Sequence, residues 1–307
     1  MLKQFADLHC DTLWRCFEER RTLHHPSLQV RPSHSFSLLQ NYAIYIPDHV
    51  ADPIAYFRAV YDHGRMLLEQ MPNYRFCKNF GEIEASLGEG TRPCIISIEG
   101  GCLFSGNRER DLKFVMELKE KGIAFLSLCY NGGNALAGGF LCPEKGLSES
   151  GKQAASLLHE FNISLDLSHL NHRSADALLD FLPSGMAATH SNCYSLMPHP
   201  RNLTDEQILA ISEKNGLIGL NFYPPFLAAG EASSDDVMLH LEYLKKIGAE
   251  NTIAFGSDFD GIEKSPVDLR STDDYPQLYD KIKKKASNKA DDYCFSHVMN
   301  YLCHNFK

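Results

Sequence analysis

Short apolar segments and amphipathic segments alternate along most of the chain. Eight apolar segments, rich in β-branched or aromatic residues, predict strands at 4–11, 41–46, 93–100, 123–131, 162–169, 185–192, 216–223 and 251–258. Apolar residues at three- and four-residue spacing predict helices at 52–71, 108–122, 148–162, 173–182, 204–216 and 235–248. Thr204 and Gln207 form a capping-box signal, and Gly216 and Gly248 stand where helix C-caps are expected.

This alternation indicates a parallel sheet covered by helices, because its strands are apolar along their whole length. Eight such strands predict a (β/α)₈ TIM-type barrel, an α/β fold for which about 250 residues is typical. We expect the rest of the 307 residues to form loop insertions at 12–40 and 132–147 and a C-terminal helical extension from about 263, within one domain over 1–307. A doubly wound open sheet is the alternative, but no strand is followed by G-x-G-x-x-G or G-x-x-x-x-G-K-[ST].

Polar and ionisable side chains stand at the carboxyl ends of the predicted strands. The segments at these ends are D-L-H-C-D (7–11), E-G-G (99–101), Y-N (130–131), D-L-S-H (166–169), T-H-S (189–191) and G-S-D-F-D-G (256–261). The carboxyl ends of the strands of a closed barrel meet at one mouth, where the active sites of such barrels lie. We therefore expect the functional site at the C-terminal mouth.

Histidines and carboxylates in these segments predict a metal site. His9 and Asp11 are two residues apart on a strand, so both side chains point the same way and can bind one cation. His9, His169 and His190 with neighbouring carboxylates suit zinc, and manganese, cobalt and iron are alternatives. Glu99 lies between the two halves of this set and could bridge two ions about 3.5–4 Å apart.

Composition and charge narrow the classes of function. The chain is 44% hydrophobic and 22% charged, as in ordinary globular proteins, and its net charge of −9 argues against nucleic acid or anionic membrane as a partner. No apolar run reaches the roughly 18 residues of a membrane span, and the polar start M-L-K-Q-F-A-D-L-H-C-D argues against a conventional signal peptide. Ten cysteines without a C-x-x-C pair predict free thiols in a reducing compartment, and hence a cytoplasmic protein.

Six segments together resemble one protein family. They are D-L-H-C-D-T (7–12), S-I-E-G-G (97–101), D-L-S-H (166–169), T-H-S-N (189–192), H-P-R-N-L-T-D-E-Q (199–207) and G-S-D-F-D-G (256–261). In this order and rough spacing they resemble the membrane (renal) dipeptidase family, zinc dipeptidases of the metal-dependent amidohydrolase superfamily, and look like its bacterial members. The resemblance runs from about residue 5 to 262, and more weakly to Asn305.

The resemblance implies two zinc ions per subunit. His9 and Asp11 match the ligands of one zinc ion, and His169 and His190 match ligands of the second. Glu99 matches the carboxylate that bridges the two ions.

The resemblance also implies roles at the substrate. Arg201 matches the arginine that binds the terminal carboxylate, and Asp258 matches the acid/base aspartate, which also faces the substrate. Tyr130 stands where the mammalian enzymes have a histidine that contacts the substrate, and some bacterial relatives likewise have an aromatic residue followed by Asn there. Phe226 stands where the mammalian enzyme has a tyrosine. Substrate preference is therefore expected to differ from that of the mammalian enzymes.

Three further aspartates of the strand-end segments match no ligand in the family. For Asp7, Asp166 and Asp260 we expect a role in orienting the ligands or in supporting the loops.

The function expected from these residues is hydrolysis of dipeptides that carry a free C-terminal carboxylate. In the family's chemistry a water shared by two zinc ions becomes a bridging hydroxide and attacks the peptide carbonyl, while Asp258 transfers the proton to the leaving amine. The first alternative is lactone, cyclic-amide or phosphoester hydrolysis on the same metal centre. The second is a metal-binding or interaction protein that has lost catalysis. The oligomeric state stays open, a homodimer being one option.

Overall fold

Over residues 3–31 and 37–307, the part of the chain that the computed structural model describes, eight parallel strands close into a barrel surrounded by helices. The strands are β1 (Gln4–Cys10), β2 (Ser37–Tyr45), β3 (Tyr74–Phe76), β4 (Arg92–Glu99), β5 (Ile123–Ser127), β6 (Ser164–Asp166), β7 (Met186–Ala188), β8 (Leu217–Leu220) and β9 (Ile253–Phe255). The ring runs β1-β2-β4-β5-β6-β7-β8-β9, and β9 pairs with β1 through Asp7 and Phe255. β3 adds a short pairing to the start of β4. The expected (β/α)₈ barrel is confirmed.

The pairing register explains how strand ends reach the mouth together. β2 and β4 pair residue for residue from Gln40 and Cys94 to Tyr45 and Glu99, which puts Tyr45 beside Glu99 at the end of both strands. The pairing of β1 with β2 shifts between Asp7 and Cys10, the stretch that contains His9. Such an irregularity re-aims a side chain, and at a barrel rim it commonly serves a site.

The amphipathic segments form the outer helices, and all six predicted helices are present. The helices are α1 (Thr12–Glu18), α2 (Pro53–Glu69), α3 (Phe80–Gly88), α4 (Arg108–Lys121), α5 (Glu149–Glu160), α6 (His172–Phe181), α7 (Asp205–Glu213), α8 (Pro224–Leu227), α9 (Ser234–Lys246), α10 (Tyr275–Ala286) and α11 (His297–Asn305). Thr204 and Gln207 form the predicted capping box of α7. Gly248 follows α9 with a φ of 90°, as predicted, whereas at the end of α7 the left-handed residue is Asn215, with a φ of 54°, and not Gly216.

Four elements differ from the sequence-based expectation, namely α1, β3, α3 and α8. The segment 12–40 was expected to be a loop insertion, but its first residues form α1, which buries Leu13 and Cys16 against the barrel. Residues 32–36 of that segment lie outside the described residues. The sequence predicts none of β3, α3 and α8. A three-residue strand such as β3, whose side chains are all half-buried, shows no alternation of apolar and polar positions, and four residues are too few to define a helical spacing in α8.

The C-terminal segment closes the end of the barrel opposite the mouth. Side chains of α11 and of the π-helical turn before it, including Phe295, Val298 and Leu302, pack in one cluster with barrel-interior residues such as Leu39 and Ala187. α10 and α11 thus lie where the C-terminal helical extension is expected. The assignment of 1–307 to one domain stays a prediction.

Two findings bear on the chain's surroundings. None of the helices in the described ranges has both the length and the hydropathy that crossing a membrane requires. All ten cysteines carry free thiols, and seven of them are buried, as the sequence predicted. The cytoplasmic location stays a prediction.

Candidate metal centre and active site

The ends of four strands bring the five predicted metal ligands together at the mouth of the barrel. His9 lies near the end of β1, Asp11 just after it, and Glu99 is the last residue of β4. His169 and His190 follow β6 and β7 by a few residues. All five are buried, with 0–6% of each residue exposed.

Glu99 belongs to both halves of this cluster. In one half the ligand atoms of His9, Asp11 and Glu99 lie within 4.8 Å of one another, and in the other the same holds for Glu99, His169 and His190. Oε1 of Glu99 lies 2.5 Å from Nε2 of His169, 3.5 Å from Nε2 of His190 and 3.8 Å from Nε2 of His9. Nε2 of His9 is 3.7 Å from Oδ2 of Asp11. One carboxylate therefore faces three imidazoles from between the two halves.

The donor atoms fit a divalent metal centre. Nε2 of His9 is buried and has no hydrogen-bond partner among the described residues. The Nε2 atoms of His169 and His190 face each other at 2.8 Å. Buried polar atoms are normally hydrogen-bonded, so an unpaired ring nitrogen and two converging ones indicate a place for a cation. Imidazole nitrogens with carboxylate oxygens are ligands that zinc and related ions prefer.

Backbone strain accompanies the cluster. His169, Asp258 and Asp260 have φ values of 72°, 61° and 67°, in the left-handed region that side-chain-bearing residues seldom occupy. Such conformations cost on the order of 1–3 kcal/mol each and persist where surrounding contacts enforce them, often at active sites. Gly261 next to them has no side chain for a steric reason: a Cβ there would lie 2.1 Å from Oδ2 of Asp11.

Burial and neighbouring charges set the protonation of the ligands. Burial raises the pKa of Glu99, and raises that of Asp11 to about 6. Burial alone would lower the pKa of His9, but the carboxylates of Asp11 and Glu99 outweigh it and raise that pKa to about 10. Burial lowers the pKa values of His169 and His190 well below the usual range, so both imidazoles are neutral. The cluster thus holds two neutral imidazoles and an excess of negative charge around His9, which favours a bound cation.

Arg201 lies in the same pocket, on the loop that follows β7. Its guanidinium is buried, and Nη2 lies 3.0 Å from Nε2 of His169. The ring of Phe226 stands 5.5 Å from the guanidinium carbon, so this wall of the pocket is apolar, as the sequence indicated. Burial lowers the pKa of Arg201, while the negative charges of Asp258 and Glu99 oppose that shift. A buried guanidinium, with its planar set of N–H donors, is suited to bind a carboxylate.

Asp258 stands at the mouth beside the metal ligands. Its backbone N–H donates to the carbonyl of His9 at 3.0 Å, and its Oδ2 accepts a 2.9 Å hydrogen bond from Nδ2 of Asn221. Burial is the main cause that raises its pKa, to about 7. This carboxyl group can therefore exchange a proton near neutral pH.

Tyr130 packs against a predicted ligand of the second ion. Its ring stacks on the imidazole of His169, with centroids 4.5 Å apart, and its other neighbour is Tyr45 at 4.4 Å. Trp14 extends this aromatic wall, 5.3 Å from Tyr45. Burial raises the pKa of the Tyr130 phenol, which is neutral at physiological pH.

Several residues of the site were not given a role from the sequence. Asn131 places Oδ1 2.6 Å from Nδ1 of His169, Asn221 contacts Asp258, and Thr189 lies between two histidines. Asn221 comes directly after β8 and Tyr45 ends β2. Asn131 and Thr189 stand in strand-end segments that the sequence singles out, and the position of Asn221 and Tyr45 at strand ends is the signal that identifies those two.

Two of the three aspartates without a predicted ligand role support the loops of the site. Asp7 accepts hydrogen bonds from the N–H and hydroxyl of Ser257 and from the hydroxyl of Tyr275. Asp260 accepts hydrogen bonds from the hydroxyl of Thr12 and from the backbone N–H of Gln29. Asp7 thus joins β1 to the loop after β9 and to α10, and Asp260 joins that loop to α1 and to the segment around Gln29.

Solved structures share the fold over the full chain. A dipeptidase AC, a metallo peptidase of family M19, superimposes with a TM-score of 0.90 at 21% identity, covering 100% of this chain and 99% of that one. A metallo peptidase from Rhodobacter sphaeroides, liganded with a phosphinate mimic of the dipeptide L-Ala-D-Ala, gives a TM-score of 0.89 at 20% identity and covers 100% of both chains. At 20–21% identity this similarity shows the fold alone.

Three curated proteins are similar to this chain in sequence. An uncharacterized protein in the pqqA 5′ region of Klebsiella pneumoniae is 32% identical over 218 residues, which are 68% of this chain and 80% of the relative. Two uncharacterized dipeptidases of Schizosaccharomyces pombe are 30% and 25% identical over 54% and 72% of this chain. The matched regions span only 42% and 55% of those two proteins.

A family model matches more of the chain than any of these three sequence relatives does. The family model of membrane dipeptidase (peptidase family M19) matches residues 3–292, a span that contains every strand of the barrel and every residue of the site. The chain therefore belongs to the membrane dipeptidase family, peptidase family M19, a family of metal-dependent hydrolases that act on peptide bonds.

Proposed function

We propose that the chain is a two-zinc dipeptidase that hydrolyses dipeptides with a free C-terminal carboxylate. One observation carries the proposal: Glu99 lies between two groups of ligands, and Arg201 contacts the histidine of one of them. A metal centre with a buried guanidinium 3.0 Å from a ligand suits a short substrate whose carboxylate lies near the bond that is cleaved.

Five residues would hold the metal. His9 and Asp11 would bind one zinc ion, His169 and His190 the other, and Glu99 both. When bound there, two divalent cations lower the pKa of water and polarise a peptide carbonyl. The burial of all five side chains excludes bulk water and strengthens each electrostatic interaction.

Asp258 would move the proton. Its carboxylate takes a proton from the attacking water and delivers it to the nitrogen of the leaving amine, so that the peptide C–N bond breaks and one water molecule is consumed. Asn221 holds Oδ2 by its 2.9 Å hydrogen bond and leaves Oδ1 for this transfer. The left-handed backbone of Asp258 sets the direction of its Cα–Cβ bond, and the hydrogen bond from Asn221 holds the carboxylate.

Arg201 and the aromatic walls would position the substrate. The guanidinium of Arg201 binds the carboxylate, ideally through two parallel hydrogen bonds, and places the scissile bond against the metal centre. Tyr130 and Phe226 shape the pocket on either side of His169 and Arg201. The mimic bound in the Rhodobacter sphaeroides relative is that of an L-D dipeptide, which recommends testing both stereochemical series here.

The decisive experiment combines metal content with a substrate panel. The purified chain is freed of metal with a chelator, reloaded with zinc, manganese or cobalt, and assayed on L-L and L-D dipeptides, their C-terminal amides, a lactone, a cyclic amide and a phosphoester. We expect about two zinc ions per chain and metal-dependent cleavage of free dipeptides. Cleavage of the lactone, cyclic amide or phosphoester alone would support the other amidohydrolase activities, and metal binding without any hydrolysis would support a catalytically inactive protein.

The proposed setting follows from charge and thiols. The net charge of −9 supports small dipeptides, rather than nucleic acid or membrane, as partners. The ten free thiols support a cytoplasmic location. A homodimer is one option for the assembly, which sedimentation of the purified chain would test.

A further inference from the structure

The hydroxyl of Thr189 lies between one carboxylate and two metal-ligand candidates. Its Oγ1 is 2.5 Å from Oδ2 of Asp166, 2.9 Å from Nδ1 of His190 and 3.4 Å from Nδ1 of His9. Thr189 and His190 are 0% exposed, His9 is 1% and Asp166 is 5% exposed, so no bulk water competes for these bonds. His9 belongs to one half of the metal cluster and His190 to the other.

The protons of these groups can be assigned by counting donors and acceptors. A threonine hydroxyl has one proton to donate and two lone pairs that accept. An ionised carboxylate only accepts, so the 2.5 Å contact is the donation from Thr189 to Asp166. The lone pairs of Oγ1 then accept from Nδ1–H of His190 and, over the longer distance, from Nδ1–H of His9. With the proton on Nδ1, the lone pair of a neutral ring is on Nε2, the atom that both His190 and His9 turn toward the metal cluster.

We infer that Thr189, oriented by Asp166, is a positioning residue that sets the ring orientation and tautomer of one histidine in each half of the metal centre. The inference rests on the metal ligands of the proposed function and adds a single hydroxyl group shared by both halves. Groups of this kind fix the orientation of a ligand and raise its basicity. Loss of the hydroxyl should therefore weaken both metal sites together, although Thr189 itself contacts no metal.

The barrel holds Thr189 firmly enough for this role. Its backbone N–H donates to Oδ1 of Asp166 at 2.9 Å, so the carboxylate binds both the backbone and the side chain of the same residue. Two glycines lie against its carbonyl: a Cβ on Gly219 of β8, or on Gly256 just after β9, would lie 1.9 or 1.8 Å from that oxygen. The missing side chains let β8 and the segment after β9 close against Thr189.

The ligand atoms of His9, Asp166 and His190 also lie within 4.8 Å of one another, close enough for one metal ion to bind all three. Asp166 could therefore bind a cation directly instead of acting through Thr189. The contacts favour the hydroxyl, because both oxygens of Asp166 already accept: Oδ1 from the N–H of Ser168 at 3.0 Å and of Thr189, and Oδ2 from the Thr189 hydroxyl. The zinc contents of Asp166→Asn and Thr189→Val, compared with each other, separate the two roles.

The first test measures zinc affinity by competition with a chelator of known affinity. Thr189→Val keeps the shape and removes the hydroxyl, and we expect zinc affinity at both sites to fall by about 10–100-fold. Thr189→Ser retains the hydroxyl and should bind zinc like the wild type. Ser191→Ala is the matched control, because this buried neighbour has a hydroxyl without a hydrogen-bond partner in the described part of the chain, and its loss should change nothing.

Three outcomes would overturn the inference. The first is unchanged zinc affinity in Thr189→Val, and the second is a Thr189→Ser variant as impaired as Thr189→Val, which would reveal a packing role of the methyl group. The third is loss of zinc in Asp166→Asn but not in Thr189→Val, which would make Asp166 a ligand.

The second test needs neither metal nor substrate. Nitrogen-15 NMR of histidine-labelled, metal-free protein reports which ring nitrogen carries the proton, and the signal of His190 is identified by its absence in His190→Asn. We expect the Nδ1–H form in the wild type and in Thr189→Ser, and a mixture of tautomers in Thr189→Val. A wild-type His190 protonated on Nε2 would refute the inference. Because dipeptide hydrolysis enters neither test, failure of the proposed function would be seen separately, as a zinc-loaded wild type that cleaves no dipeptide.

Discussion

The side-chain amide of Asn221 donates a 2.9 Å hydrogen bond to Oδ2 of Asp258. The orientation of this amide is fixed, because Nδ2 also donates to the carbonyl of His190 at 3.2 Å and Oδ1 accepts from the N–H of Tyr223 at 2.6 Å. The group facing Asp258 is thus a donor, which favours the ionised carboxylate. Asp258 is held by an amide and by its own backbone, without being needed to complete either group of metal ligands.

This arrangement predicts that catalysis and metal binding separate at Asp258. Asp258→Asn keeps the shape and can still accept from Asn221 through its amide oxygen, but it cannot accept the proton. Metal content should stay near that of the wild type, while kcat falls by about 10²–10⁴, the loss expected for a positioned acid/base group. Metal analysis and steady-state kinetics on one preparation check both statements. A near-normal kcat would contradict the acid/base role, and loss of a metal ion would make Asp258 a ligand.

Arg201 predicts dependence on the substrate's carboxylate. Arg201→Ala should lower kcat/KM for free dipeptides by about 10–100-fold or more, because a hydrogen bond to a charged group contributes roughly 1.5–3 kcal/mol. Replacing the substrate carboxylate by an amide should cause a similar loss in the wild type and little further loss in the variant. If amidated and free dipeptides are cleaved equally by the wild type, Arg201 has another task.

Because Glu99 belongs to both groups of metal ligands, removing it should affect metal binding differently from removing a single histidine. His169→Ala should empty one of two metal sites, because His190 and Glu99 alone complete too few contacts there. Glu99→Ala should weaken both sites, since Glu99 belongs to both groups. Equilibrium dialysis followed by metal analysis gives the stoichiometry, with the exposed His304→Ala as control. Two full equivalents of metal in His169→Ala would remove His169 from the set of ligands.

Tyr130 predicts an effect on binding more than on chemistry. Its ring stacks on His169, and its phenol is neutral because burial raises the pKa. Tyr130→Phe keeps the ring and should change KM more than kcat, because a neutral aromatic here mainly shapes the pocket. Steady-state kinetics on the preferred dipeptide decide the matter. A thousandfold loss in kcat would show that the hydroxyl takes part in the reaction.

The protonation of His240, a buried residue outside the metal cluster, should make the free energy of unfolding depend on pH. The ring is 1% exposed; Nδ1 accepts from the N–H of Cys193 at 3.1 Å, and Nε2 lies 3.2 Å from the carbonyl of Leu227. This pattern requires neutral imidazole, and burial lowers the pKa of His240 below its ordinary 6.5. The contribution of the neutral ring is therefore complete above about pH 6.5 and is lost as the pH falls through the lowered pKa, because the unfolded chain takes up the proton first.

His240→Asn, which keeps an acceptor near the position of Nδ1 and does not titrate, isolates this contribution. Free energies of unfolding of both proteins are measured by urea denaturation in the presence of a chelator, between pH 8 and 5. The advantage of the wild type over the variant should be constant at the alkaline end and shrink toward the acid end. Parallel curves throughout would show that His240 does not titrate on unfolding.

The elements and the kind of chemistry followed from the sequence alone. Strands and helices were predictable because a stretch of apolar residues or a three-to-four spacing is a local property, which each segment carries independently of the rest. All eight predicted strands are in the barrel, and His9, Glu99, His169 and His190 could be selected because each lies at or near the carboxyl end of a strand or follows it. β3 and α1 were not predicted, because their three and seven residues are too few to define a periodicity.

The tertiary structure alone decided which residues far apart in the chain are in contact. Pairing of Asp7 with Phe255 closes the barrel and brings the N–H of Asp258 to the carbonyl of His9. The contact of Thr189 with Asp166 depends equally on the register of neighbouring strands. Strand register and barrel closure are set by the packing of all the strands at once, so no local pattern could reveal these contacts. For the same reason the left-handed backbone of Asp258 is imposed by its surroundings and not by its own preference.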